Sequence, residues 1–118
     1  MVVRRSGVPR YGRAFISGAY SGTPEEIEHN LSKARWVVEI VLKAGWVPIC
    51  PNVFWHPFYE FQDYEFWLDA AMGLIETCRI LVVVDGWEKS SGVPREIQRA
   101  KELGIPILTV ETFLHWDD

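Results

Sequence analysis

"RILVVVDGWEKSSGVPREIQRAKELGIPILTV", residues 79–110, decides how the rest of the chain is read. Its first part, "RILVVVD" (79–85), is almost uniformly apolar, as a strand covered on both faces must be. "VPREIQRAKELG" (93–104) is amphipathic and ends at Gly104, as a helix does. "IPILTV" (105–110) is a second apolar strand. Strand, helix and strand at this spacing predict a parallel pair joined by a helical crossover.

The same alternation extends towards the N-terminus. "AFISGAY" (14–20) reads as a short buried strand running into a glycine turn. In "TPEEIEHNLSKARWVVEIVLKAGW" (23–46), Thr23 suits an N-cap, Pro24 the first helical position, and Glu25 and Glu26 the positive end of the helix dipole. Ile27, Leu31, Ala34, Val37 or Val38, and Val41 or Leu42 recur at helical spacing, and Gly45 closes the helix. "WVPIC" (46–50) is a strand. "PNVFWHPFYEFQ" (51–62) reads as a loop, too rich in proline and aromatics for regular structure. "DYEFWLDAAMGLIETC" (63–78) reads as a helix capped by Asp63, and "ETFLHW" (111–116) as a last helical turn. The expected fold is a three-layer α/β, flavodoxin/Rossmann-like parallel sheet of four to five strands with helices on both faces. Residues 14–118 are expected to form one domain behind a basic N-terminal tail, residues 1–13.

Composition fits this frame. The chain has 118 residues, 48% hydrophobic and 24% charged, as one ordinary globular domain would. No apolar span is long enough for a membrane helix, and the basic start "MVVRRSGVPRYGR" lacks the apolar region of a signal peptide. A cytoplasmic protein without a membrane partner is expected. The net charge is −4, but Arg4, Arg5, Arg10 and Arg13 stand at the start without an acid among them, which leaves −8 on the remainder. That excess argues against a nucleic-acid polymer as partner. Cys50 and Cys78 have no ligand spacing, so no metal and no cofactor is expected, and both read as buried thiols.

In parallel α/β sheets ligands bind beyond the carboxyl ends of the strands. That rule selects "SGAYSG" (17–22), "PNVFWH" (51–56) and "DGWEKSSGVPRE" (85–96). Gly18 and Gly22 around Tyr20 let backbone approach a ligand, although such a turn needs glycine anyway. Gly92 before a helix, with Ser90 and Ser91 beside it, makes a candidate phosphate site. Glu96 falls near the third helical position, and from this window alone a partial capping box explains it better than chemistry does. Asp69 lies next to the face shared by Leu68, Met72 and Ile75, where a solvent-facing aspartate is the ordinary case. His56 stands in the aromatic segment. The density of rings in "FWHPFYEFQDYEFW" (54–67) suits a stacked ligand, a cover for the site or a subunit interface, the last being the plainest.

Together these segments resemble the superfamily of nucleoside 2-deoxyribosyltransferases and 2′-deoxynucleoside 5′-phosphate N-hydrolases. "FISGAYSG" is similar to its first strand and turn, and "NLSKARWVVEIVLKAGWVPICPN" to its next helix and strand. "LDAAMGLIETCRILVVVDGW" and "SSGVPREIQRAKELGIPI" are similar to its carboxylate helix, third strand and nucleophile helix. The resemblance implies that Glu96 attacks C1′ of a sugar, that Tyr20 orients it, and that Asp69 contacts base or sugar and helps the leaving group depart. It also implies that Ser90, six residues before Glu96, binds a 5′-phosphate where transferases carry an acid. Arg79 departs from the pattern, since many relatives have an aspartate there.

The expected activity is cleavage of the base–sugar bond of (2′-deoxy)nucleoside 5′-monophosphates through a glycosyl-enzyme on Glu96. The alternatives are transfer of deoxyribose between nucleobases, and a non-catalytic nucleotide-binding module in which Glu96 only caps its helix. The substrate would be a nucleoside monophosphate or nucleoside, bound near Gly18, His56, Ser90, Ser91 and Gly92. The resemblance implies a homodimer or higher homo-oligomer.

Overall fold

A computed structural model describes residues 11–116. The tail expected over residues 1–13 falls almost wholly outside the described residues. Four parallel strands, β1 (Arg13–Ser17), β2 (Val47–Ile49), β3 (Ile80–Val83) and β4 (Ile107–Thr109), form one sheet in the order β2-β1-β3-β4. The helices are α1 (Pro24–Lys43), α2 (Pro51–Trp55), α3 (Tyr64–Ile75), α4 (Val93–Leu103) and α5 (Val110–Leu114).

Strand alternation divides the core into two halves, because successive side chains point to opposite faces. Ala14, Ile16, Ile80 and Val82 meet Ala34, Val37 and Val41 of α1 and Phe113 of α5. Phe15, Leu81 and Val83 face the other way and meet Ala71 and Ile75 of α3 and Ala100 of α4. The expected three-layer architecture is the one observed. Sheet order reverses between β1 and β3, which opens a crevice at their carboxyl ends where ligands bind in such folds.

The helix ends follow their local chemistry. Thr23 and Glu26 form a reciprocal capping box at α1, with Thr23 Oγ1 accepting from the Glu26 amide and Glu26 accepting from the Thr23 amide. Asp63 Oδ1 accepts from the Phe66 amide at 2.9 Å and starts α3. Gly104 ends α4 at φ 71°, a left-handed conformation that favours glycine.

Residues 51–62 correct the sequence reading. The expected loop is helix α2 followed by a 3-10 helix over His56–Phe61. Pro51 and Pro57 each stand in the first turn of their element, where a missing N–H costs nothing. The Trp67 indole donates to the Tyr59 carbonyl at 3.0 Å and ties this segment to α3. Among the described residues no helix is long and apolar enough to cross a membrane.

Candidate active site

A cavity of about 800 Å³ opens at the carboxyl ends of β1 and β3. Its walls come from the turn after β1, the start of α1, the α2–α3 segment, and the Gly86–Glu96 connection into α4. Of the residues expected at the site, Gly18, Tyr20, Ser90, Ser91, Gly92 and Glu96 line it.

Glu96 sits in the first turn of α4, and its carboxyl does not cap that helix. Ser90, two residues before the Gly92 N-cap, braces the turn into α4: its Oγ accepts from the amides of Gly92 and Val93, each at 3.2 Å. Glu96 Oε1 instead accepts a hydrogen bond from Ser17 Oγ at 2.5 Å, across 79 positions of sequence. Ser17 ends β1 on the same face as Phe15, and at 1% exposure it is the buried polar residue of the described core. Burial pushes the Glu96 carboxyl up to about 7 from an ordinary 4.5, and the Ser17 hydroxyl pulls part of the way back. Desolvation therefore dominates, and the group can titrate near neutrality.

Around this carboxyl stand aromatic rings and two asparagines. Tyr59 Oη donates to Asn52 Oδ1 at 2.7 Å, and Asn52 Nδ2 donates to the Gly18 carbonyl at 3.0 Å. Asn30 Nδ2, from α1, donates to the Tyr20 carbonyl at 3.1 Å. The turn after β1 is thus pinned from both flanks. Tyr20 meets Tyr59 edge to face, with centroids 4.9 Å apart. Burial first, and the Glu96 charge second, raise the Tyr59 phenol above its ordinary range. Burial likewise lifts the Cys50 thiol to about 12, with the Glu96 charge adding to it, so Cys50 stays a thiol. Trp55, Tyr64 and Trp67 add flat apolar wall, and Lys33 and Lys89 bring positive charge to the rim. The Lys33 ammonium donates to the Asp85 carbonyl, which ties α1 to the end of β3.

The structure places three of the expected groups differently from the sequence reading. Tyr20 does not orient Glu96: its hydroxyl hydrogen-bonds His56 Nδ1 at 2.6 Å, and Ser17 holds the carboxyl. Asp69 is exposed and does not line the cavity, whereas Leu68 and Ala71 of the same helix do. Leu68, Ala71 and Ile75 are the buried face of α3, and Asp69 lies one residue, about 100°, round from Leu68. The Gly92 amide, expected to meet a phosphate, is engaged by Ser90, which leaves the Ser90 and Ser91 hydroxyl protons as donors. His56 is exposed and reaches the site through Tyr20.

Sequence reasoning gave no individual role to Ser17, Asn30, Lys33, Asn52, Tyr59 or Lys89, although Ser17, Asn52 and Lys89 fall in its three selected segments and Tyr59 among its rings. Ser17 and Asn52 carried a signal, being polar residues at or just past the ends of apolar strands. Among the described residues no group of three or more His, Cys, Asp or Glu side chains is placed to hold a metal ion.

The parallel sheet carries a partly buried, desolvated carboxyl and aromatic walls at its switch point. The chain belongs to the DUF7768 family, described as a domain of unknown function, whose model matches residues 13–110. No curated protein matches it in sequence. Among solved structures its fold is similar to a 2-deoxyribosyltransferase from the psychrotolerant bacterium Bacillus psychrosaccharolyticus. That likeness has a TM-score of 0.59 at 20% identity and covers 82% of this chain and 70% of the other. A 2-deoxyribosyltransferase from Leishmania mexicana gives a TM-score of 0.56 at 17% identity, over 83% of this chain. The match takes in 63% of the Leishmania chain, under two thirds of its length. The shared property is the fold.

Proposed function

We propose that the domain cleaves the N-glycosidic bond of a nucleoside 5′-monophosphate, with Glu96 as the nucleophile. The observation that carries this reading is the Glu96 carboxyl, desolvated at the end of β1, fixed through one oxygen by Ser17 and free of any capping duty. A carboxylate so held can add its other oxygen to C1′ as positive charge develops there. The C1′–N bond breaks and its electron pair leaves with the base. Water then adds to C1′, the ester C–O bond breaks, and the carboxylate is regenerated. The aromatic walls suit a flat base, and Ser90, Ser91, Lys33 and Lys89 suit an anion.

Transfer of deoxyribose to a second base shares the first half of this reaction and is the second reading. The names of the two fold neighbours favour it. A binding module without catalysis is disfavoured, since the helix-capping role it gives Glu96 is not filled and the carboxyl accepts from Ser17 instead. Incubation with a panel of nucleosides and their monophosphates, followed by detection of free base, tests the proposal. Hydrolysis predicts base release from monophosphates without an acceptor. Turnover that needs a free base, on unphosphorylated nucleosides, would replace hydrolysis by transfer.

Ser90→Asp separates the two substrate classes. Aspartate can accept from the Gly92 and Val93 amides as serine does, so the turn into α4 is kept, but a carboxylate beside a phosphate dianion repels it. The ratio of kcat/KM for monophosphate over nucleoside is expected to fall by about 10² in this variant, one or two charge-assisted bonds' worth. An unchanged ratio would remove the phosphate from this corner.

A homo-oligomer belongs to the same proposal. Phe54, Phe58, Phe61, Tyr64 and Phe66 are all exposed on one continuous segment, Phe61 at 70%. Sets of large exposed aromatics suit a second copy of the chain. Sedimentation at micromolar concentration should give a dimer or larger species that Phe61→Asp dissociates; a wild-type monomer with full activity would contradict it.

A further inference from the structure

The departing base needs a proton, and Asp69 is not in the cavity to give one. Tyr20 and His56 are a side-chain pair that joins the cavity wall to exposed surface. Tyr20 lines the cavity and is partly buried, while His56 is exposed. Their Oη and Nδ1 atoms lie 2.6 Å apart, a short hydrogen bond between side chains 36 positions apart in sequence. Tyr20 is held on both sides of that bond. Asn30 fixes its carbonyl, and the edge of Tyr59 meets its ring.

We propose that Tyr20 and His56 form a proton relay from bulk water to the leaving nitrogen of the substrate, an inference that rests on the N-glycosidase reading. Burial raises the Tyr20 phenol, so it stays protonated under ordinary conditions and acts as a donor. With a proton on His56 Nδ1, that N–H donates to Tyr20 Oη, and the phenol proton is free to point into the cavity. As the C1′–N bond breaks, its electron pair goes to the base nitrogen, which takes the Tyr20 proton. Tyr20 Oη takes the proton from His56 Nδ1 as the exposed Nε2 takes one from water, so the imidazole changes tautomer and stays neutral. Charge is conserved at every transfer, and no further reagent is required.

Tyr20 is then the catalytic residue, and His56 the group that reloads and positions it. Two other ionisable residues beside Tyr20 at the cavity are already engaged. Tyr59 gives its proton to Asn52, and Glu96 serves as nucleophile.

The test is sensitivity to the leaving group. The wild-type protein, Tyr20→Phe and His56→Gln are compared on two sugar phosphates with the same sugar. One carries an ordinary nucleobase, and the other 4-nitrophenolate, which departs without protonation. General acid catalysis contributes roughly 10²–10⁴ in rate. Tyr20→Phe should therefore lose at least about 100-fold on the nucleobase substrate and under tenfold on the nitrophenyl one. His56→Gln should show the same pattern more weakly. Equal losses on both substrates, or no loss on either, would overturn the relay while leaving the glycosidase reading intact. If neither substrate is cleaved by the wild type, the glycosidase reading itself fails, and the relay with it.

Discussion

Glu96→Gln is expected to abolish base release, with a loss of at least about 10³-fold in kcat, and to make the folded protein more stable at pH 8. The amide keeps the acceptor oxygen for Ser17, so the local geometry survives. What is lost is the proposed nucleophile, and with it a desolvated charge. The sign of the stability effect follows from the direction of the pKa shift. The folded-state value, about 7, lies above the ordinary 4.5, so the native protein binds this proton more tightly than the unfolded chain does. The group therefore burdens the fold least below pH 4.5. Its cost grows as pH rises from there through 7, and above 7 it reaches about 3 kcal/mol. Glutamine carries no such cost. Denaturant unfolding of both proteins at pH 5 and pH 8 checks this: the gap should be small at the lower pH and should open at the higher. Equal midpoints at pH 8 would mean that the carboxyl is solvated, and the desolvated nucleophile would lose its basis.

Ser17→Ala carries the second large effect. The hydroxyl stabilises the ionised form of Glu96 and is the interaction that opposes burial. Removing a hydrogen bond to a charged group is worth about 1.5–3 kcal/mol, or about one to two units of pKa. In the wild type kcat/KM should rise with pH and level off above about 7 as the carboxylate forms. In Ser17→Ala the rising limb should move one to two units higher, so activity at pH 6 falls by roughly 10- to 100-fold and largely recovers at pH 9. A variant with the same limb and a uniformly lower rate would show that Ser17 only packs.

The layers of the fold were legible because they depend on local patterning. The apolar run 80–84, the Thr23-Pro24 helix start and Gly104 each act within a few residues of themselves. The carboxyl ends of β1 and β3 were legible for the same reason, together with the rule for ligands in parallel sheets. Pairings made across the fold were not. Ser17 meets Glu96 only because β1 lies beside β3 in a register that sets Ser17 opposite Val83, with α4 on that face. Tyr20 meets His56 only because residues 51–62 coil back as helix instead of leaving as a loop. Asp69 shows how small the margin is. A displacement of one residue along α3 separates the cavity wall at Leu68 from solvent, and family resemblance cannot resolve a rotation of 100°. Glu96 shows the opposite case: its sequence window reads as a helix cap, and its carboxyl turns instead to Ser17 at the end of β1.

The central claim is that Glu96 becomes covalently bound to the sugar. Trapping the intermediate tests it most directly, using a 2′-fluoro-substituted nucleoside monophosphate whose sugar forms the ester but releases it slowly. Intact-mass measurement should show one sugar phosphate added per chain, with free base released in equal amount. Peptide mapping should place the adduct on Glu96, and Glu96→Gln should show neither adduct nor release. Base release at the wild-type rate by Glu96→Gln, or an adduct mapped to another residue, would contradict the account.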